Sequence, residues 1–137
     1  MSEEDVQKML QQAQMLEGYY AELVQREESM YGIIRDTAAA IEAVRAISGE
    51  AETETLLPVG QGTFVKAKIS PADKLVLNVG AGVVLEKDSA YTLNYLEARL
   101  KEIDAGLRDV SARRQQIGEQ LESTRQQMTR MIQPAQK

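Results

Sequence analysis

Two long stretches of this chain keep an apolar residue at the first and fourth places of a seven-residue cycle, and few folds accommodate such a pattern. From residue 6, position a holds Val6, Ala13, Tyr20, Glu27, Ile34, Ile41 and Ser48, and position d holds Met9, Leu16, Leu23, Met30, Thr37 and Val44. From residue 93, a holds Leu93, Leu100, Leu107, Arg114, Leu121 and Met128, and d holds Leu96, Ile103, Val110, Ile117, Thr124 and Met131. A 3.5-residue repeat sustained this long keeps one narrow seam facing a partner helix, the signature of a coiled coil. At about 1.5 Å per residue each helix is roughly 60 Å long. Gly49 is expected to end the first helix as its C′ residue, and Asp88 or Ser89 to cap the second.

Two helices of equal length joined by a compact insert fold back on one another. In an antiparallel pair a positions meet d positions, which sets Val6 against Met131, Tyr20 against Ile117 and Val44 against Leu93; a slip of one heptad satisfies the same pattern. Glu27 and Arg114, the two charged seam residues, then lie one layer apart. They either pair or reach water separately along their apolar stems. Gly18 and Gly118 share one level of the pair, Gly32 and Gly106 another, all off the seam. Each weakens helix by about 1 kcal/mol relative to Ala. Two readings stand: softened levels that let the arm flex, or exposed positions where glycine is neutral.

Between the helices the period drops to two. "LLPV" (56–59), Gly60-Gln61-Gly62 and "TFVKAKI" (63–69) make one hairpin. Ser70-Pro71-Ala72-Asp73 breaks the chain, and "KLVLNV" (74–79), Gly80-Ala81-Gly82 and "VVLEK" (83–87) make a second. Gly-x-Gly also opens nucleotide-binding loops, but a dinucleotide loop needs a third glycine where Leu85 stands and a helix where "VVLEK" reads as strand. Both Gly-x-Gly units are therefore turns, where φ > 0 costs glycine little, and Pro58 marks its strand as an edge. Isolated hairpins are marginal in water. Val65, Ala67 and Ile69 form one apolar face and Leu75, Leu77 and Val79 another, with unpaired edges beside them. Such a segment is expected to pair with other chains.

The fold class is therefore α+β: a long antiparallel coiled-coil helical hairpin with two central β-hairpins. The chain reads as one domain over 1–137, with helix 6–48, hairpins 54–87 and helix 89–132. Aromatic residues are only 4% of the chain while hydrophobic residues are 43%, a balance that suits narrow seams rather than a thick core. The absence of Cys and His removes the usual metal ligands and general base, and no cofactor is expected. The net charge of −5 disfavours a nucleic-acid surface. The start "MSEEDVQK" does not read as a secretory signal and no apolar run approaches a membrane span, so the cytosol is the expected compartment. No nucleophile–base pair accompanies Glu52, Glu54, Asp73 or Asp88, which look like capping or solvated positions, so no enzyme is expected. A coiled-coil tether or adaptor remains the alternative, although it has little need of two central hairpins.

"LLPVGQGTFVKAKI…KLVLNVGAGVVLEK" between two heptad helices resembles the α-class (alpha) subunits of the prefoldin family, of archaeal type, over essentially the whole chain. The resemblance implies a hexamer of two such chains, each giving two hairpins, and four β (beta) subunits, each giving one. The hairpins would close a double β-barrel platform from which six coiled coils hang. Unfolded polypeptides would be held near the distal tips and delivered to a group II chaperonin without ATP. In the antiparallel register both termini lie at those tips, where five of the six methionines cluster: Met1, Met9, Met15, Met128 and Met131. Met-rich surfaces adapt to many partners. Val6, Met9, Leu10, Met128, Met131 and Ile132 are the expected client-binding residues. Met9, Met128 and Met131 are equally suited to finishing the seam.

Overall fold

The computed structural model describes residues 2–49 and 51–132; Met1 lies outside the described residues. Helix α1 spans Glu3–Ile47. It starts ahead of the heptads because Ser2 caps it: the Ser2 hydroxyl oxygen accepts from the Asp5 N–H at 3.3 Å, and its carbonyl accepts from the Val6 N–H at 3.3 Å. Glu3, Glu4 and Asp5 place negative charge in the first turn, where the helix dipole favours it. At the other end Gly49 does not take the left-handed conformation expected of a C′ residue. The last turn is closed instead by Ser48, whose N–H donates to the Arg45 carbonyl at 3.3 Å and whose hydroxyl donates to the Val44 carbonyl. With that turn already bonded by its own residue, the glycine's freedom goes unused.

Helix α2 spans Ser89–Ile132. Asp88 is its cap: the carboxylate accepts from the Tyr91 N–H at 2.8 Å and the carbonyl from the Thr92 N–H at 3.1 Å. Between the helices lie β1 (Thr53–Gly60), β2 (Thr63–Ile69), β3 (Leu75–Gly80) and β4 (Val83–Lys87). They form two separate two-stranded antiparallel sheets, β1 with β2 and β3 with β4. The turn between them is held by Asp73, whose carboxylate accepts from the Ser70 N–H at 2.8 Å.

The two hairpins end in nearly identical turns. The register shifts between Pro58 and Gly60 in one and between Asn78 and Gly80 in the other, a bulge that skips Val59 and Val79. Through the turns φ is 115°, 49° and 73° at Gly60, Gln61 and Gly62, and 102°, 52° and 76° at Gly80, Ala81 and Gly82. Positive φ at both central residues is the twist that suits a two-residue hairpin loop. The middle residue is not glycine in either turn, so each stores some left-handed strain.

The chain divides into two compact units. The first joins the part of α1 up to Ile33 with the part of α2 from Ile103 onward. Its helices run antiparallel, with Tyr20 beside Gly118 and Met30 beside Gly106, each within a residue of the expected register. Its a and d positions are buried or half-buried throughout, with Ala13, Leu23, Leu107, Val110 and Leu121 at the core. Gly106 and Gly118 are not neutral positions. A Cβ on Gly106 would stand 2.9 Å from Met30 Cε, and one on Gly118 would stand 3.2 Å from Tyr20 Cε2. These glycines are notches for the large seam residues opposite, whereas Gly18 and Gly32 face open space.

The second unit, Ile34–Glu102, holds the remainder of both helices and the hairpins. Ile41 and Leu77 are buried in it. Arg45 bonds Glu97 at 2.9 Å and Glu42 at 3.0 Å across and along its helices.

Candidate interaction surfaces

At the free ends of the helices the expected client-binding residues divide into two kinds. Val6, Met9, Met128 and Met131 are half-buried seam residues. Leu10 and Ile132 are exposed, Ile132 at 63%. Met9 and Met131 nonetheless floor a surface concavity of about 410 Å³ whose rim is Asp5, Lys8, Gln127 and Arg130. An apolar floor with a charged rim offers an extended peptide both desolvation and polar partners. Beyond the expected set, Met15 is 76% exposed and lines, with Tyr19 and Leu16, a second concavity of about 490 Å³. The signal for it was a large apolar residue at an outward c position, Met15, beside Tyr19 at g, where a two-stranded coil normally carries charge or other polar groups.

Further along this unit the seam becomes polar. Glu27 is buried, yet it is fully bonded: Arg114 Nε donates to one carboxylate oxygen, and the Ser111 hydroxyl donates to the other at 2.7 Å. Of the two expectations for the charged seam residues, pairing is the one realised. Hydrogen bonding with Tyr20, then the Glu27 charge, holds the Arg114 guanidinium above its ordinary range. Arg125 is raised likewise, first by its hydrogen bond to Glu17 at 2.7 Å.

The hairpins carry the second surface. In β3 the side chains alternate: Leu77 is 8% exposed and Leu75 and Val79 are half-buried, while Val76 is 69% exposed. Val76 and Val84 share the outer face, since Val76 pairs with Glu86 and Val84 with Asn78. In the first hairpin Ala67 and Ile69 are half-buried and Val65 is exposed. Leu57 sits opposite Val65 on that face, and Leu56 and Phe64 lie on the other; all three are exposed. Of the residues expected to oligomerise, then, Leu77 belongs to the chain's own interior. The open apolar area comes from Leu56, Leu57, Phe64, Val65, Val76 and Val84, with Val59 and Val83 beside the turns. Alternation alone could not choose between faces, because "LLPV" and "VVL" put apolar residues on both. Among the described residues no cluster of His, Cys, Asp or Glu could hold a metal ion, and no helix is long and apolar enough to cross a membrane.

Comparison with known proteins accounts for this combination of paired helices and unsatisfied hairpins. The family model described as Prefoldin subunit matches residues 16–134. The chain belongs to the prefoldin family. It is 43% identical over 136 residues to prefoldin subunit alpha of Nitrosopumilus maritimus, covering 99% of this chain and 94% of that one. It is 26% identical to prefoldin subunit alpha of Methanospirillum hungatei over 92% of this chain and 82% of the relative. In fold it is similar to a chain from the cryo-electron-microscopy structure of filamentous PFD from Methanocaldococcus jannaschii, with a TM-score of 0.66 at 18% identity, covering 85% of this chain and 95% of that one. The chain is thus a prefoldin alpha-type chaperone subunit, and prefoldin subunits work as oligomers.

Proposed function

We propose that this prefoldin chain holds unfolded polypeptides at the free ends of α1 and α2 and passes them to a group II chaperonin, without ATP, in the cytoplasm. Two copies assemble with four beta subunits through the hairpins. The observation that carries this reading is apolar surface left open in both places by the chain's own packing. Leu10, Met15 and Ile132 stand out at the helix ends beside the Met9–Met131 concavity, and Leu56, Phe64, Val76 and Val84 stand out on sheets whose edges are unpaired. Methionine side chains bend cheaply to fit varied sequences. Several weak sites acting together gain avidity, because later contacts are effectively intramolecular. Isolated two-stranded sheets gain from pairing with further strands.

The test is to express the chain with a beta subunit and measure, without ATP, suppression of aggregation of an unfolded protein. Removing residues 1–10 and 128–137 leaves the seam from Ala13 to Thr124 and every strand. The shortened chain is expected to enter the hexamer and protect clients less well, with partial loss because the beta subunits keep their own ends. Equal protection by truncated and full-length assemblies refutes capture at the helix ends. A homodimer that holds no client indicates a tether instead.

A further inference from the structure

The seam of the first unit raises a problem of register. Apart from one charged residue on each helix, its a and d positions are apolar or carry a small hydroxyl or an aromatic ring. A slip of seven residues keeps a against d, so the hydrophobic pattern alone hardly distinguishes the observed pairing from its neighbours. We propose that the polar cluster of Tyr20, Glu27, Ser111 and Arg114 selects the register.

The geometry separates what each contact contributes. In the observed register Glu27 is buried with both carboxylate oxygens bonded, one to Arg114 and one to Ser111, and Tyr20, whose ring lies beside Gly118, holds the same guanidinium above its ordinary range. If α2 slips so that Ile117 comes opposite Glu27, Arg114 stays within a turn of it, and the ion pair alone survives. Ser111 then lies about 9 Å away along the axis, and Arg114 about 15 Å from the layer of Tyr20, at roughly 1.5 Å per residue. The opposite slip brings Ile103 against Glu27 and leaves Arg114 about 17 Å and Ser111 about 12 Å away, so the carboxylate loses both of its observed partners. One slip breaks the Ser111 hydrogen bond and separates Tyr20 from Arg114, and the other breaks every contact of the cluster. A buried polar group stripped of partners is strongly disfavoured, whereas the apolar layers change little. The ion pair by itself is a poor register mark; Ser111 and Tyr20 make it a specific one. A polar seam residue that selects alignment is the best-attested use of such groups in coiled coils.

The chain has no cysteine, so introduced pairs report register directly. In the full-length chain, Leu16→Cys with Leu121→Cys reports the observed register. Leu16→Cys with Met128→Cys reports one slip, and Leu23→Cys with Leu107→Cys the other. A slip moves one helix by about 10 Å, so each disulfide forms only in its own register. With the cluster intact, mild oxidation is expected to trap the first pair alone. Adding Glu27→Leu and Arg114→Leu should raise the slipped disulfides on the order of tenfold while helical circular dichroism persists, since an apolar replacement of a buried ion pair generally folds. Trapping of the observed register alone in that background overturns the proposal. So does loss of helix, which would make the cluster a requirement for pairing rather than a selector. A slip that appears only when Gly106 is changed to Ala, with the cluster intact, assigns register to that notch and likewise overturns it.

Discussion

Replacing the four arm glycines one at a time with alanine should separate open helix surface from notches. Gly18 and Gly32 have nothing within 4 Å of a built Cβ. Alanine there gains helix propensity with no clash, about 1 kcal/mol each, and the two sites are far enough apart to add to about 2 kcal/mol. At Gly106 the new methyl would stand 2.9 Å from Met30 Cε, the free end of a flexible side chain. Met30 can swing aside, so the net gain should fall to between about 0 and 0.5 kcal/mol. At Gly118 the methyl would stand 3.2 Å from Tyr20 Cε2, on a rigid ring tethered by its interaction with Arg114. That ring cannot move without loosening the polar cluster. Overpacking costs of about 1–3 kcal/mol outweigh the propensity gain, so Gly118→Ala should be neutral or destabilising by up to about 2 kcal/mol. Urea unfolding followed by circular dichroism, at one protein concentration, measures this. With m near 1–2 kcal/mol/M, the Gly18→Ala, Gly32→Ala double variant should raise the midpoint by about 1–2 M. If Gly118→Ala stabilises as much as Gly18→Ala, the tethered-ring argument is refuted. Amide exchange on the same proteins tests whether Gly18 and Gly32 soften the arm; uniform protection along the wild-type helices would end that idea.

Three further outcomes concern the hairpins. Val76→Asp with Val84→Asp should disperse the assembly, seen by light scattering, and change the chain's own stability by no more than about 0.5 kcal/mol, as exposed substitutions do. Leu77→Ala should instead cost the chain about 2–5 kcal/mol in denaturant unfolding, because Leu77 is interior. Ala81→Gly should stabilise the second hairpin by up to about 1 kcal/mol by relieving left-handed strain at φ 52°, read as slower amide exchange in β3 and β4.

The heptads, the hairpin turns and the family were legible in the residues because each is a local or strictly periodic constraint. A 3.5-residue apolar repeat admits one seam, and every expected a and d position in the described helices is buried or half-buried. Gly-x-Gly between two apolar runs permits positive φ at both ends of a turn, and both turns use it. The cap at Ser2 was also written in the sequence, as Ser2-Glu3-Glu4-Asp5, although the heptads drew the helix start to Val6. What depended on tertiary structure was every choice between locally equivalent options. Glu27 and Arg114 either pair or reach water separately; Ser111 and Tyr20, each from a different helix, complete the cluster that makes pairing the better state. Gly49 had no left-handed turn to make once Ser48 had bonded the helix end. Gly106 and Gly118 became notches only because Met30 and Tyr20 came to lie opposite them. Both faces of the hairpins are apolar in sequence, and Leu77 faces inward while Val76 faces outward because side chains alternate along a strand and this register turns the odd positions of β3 into the core.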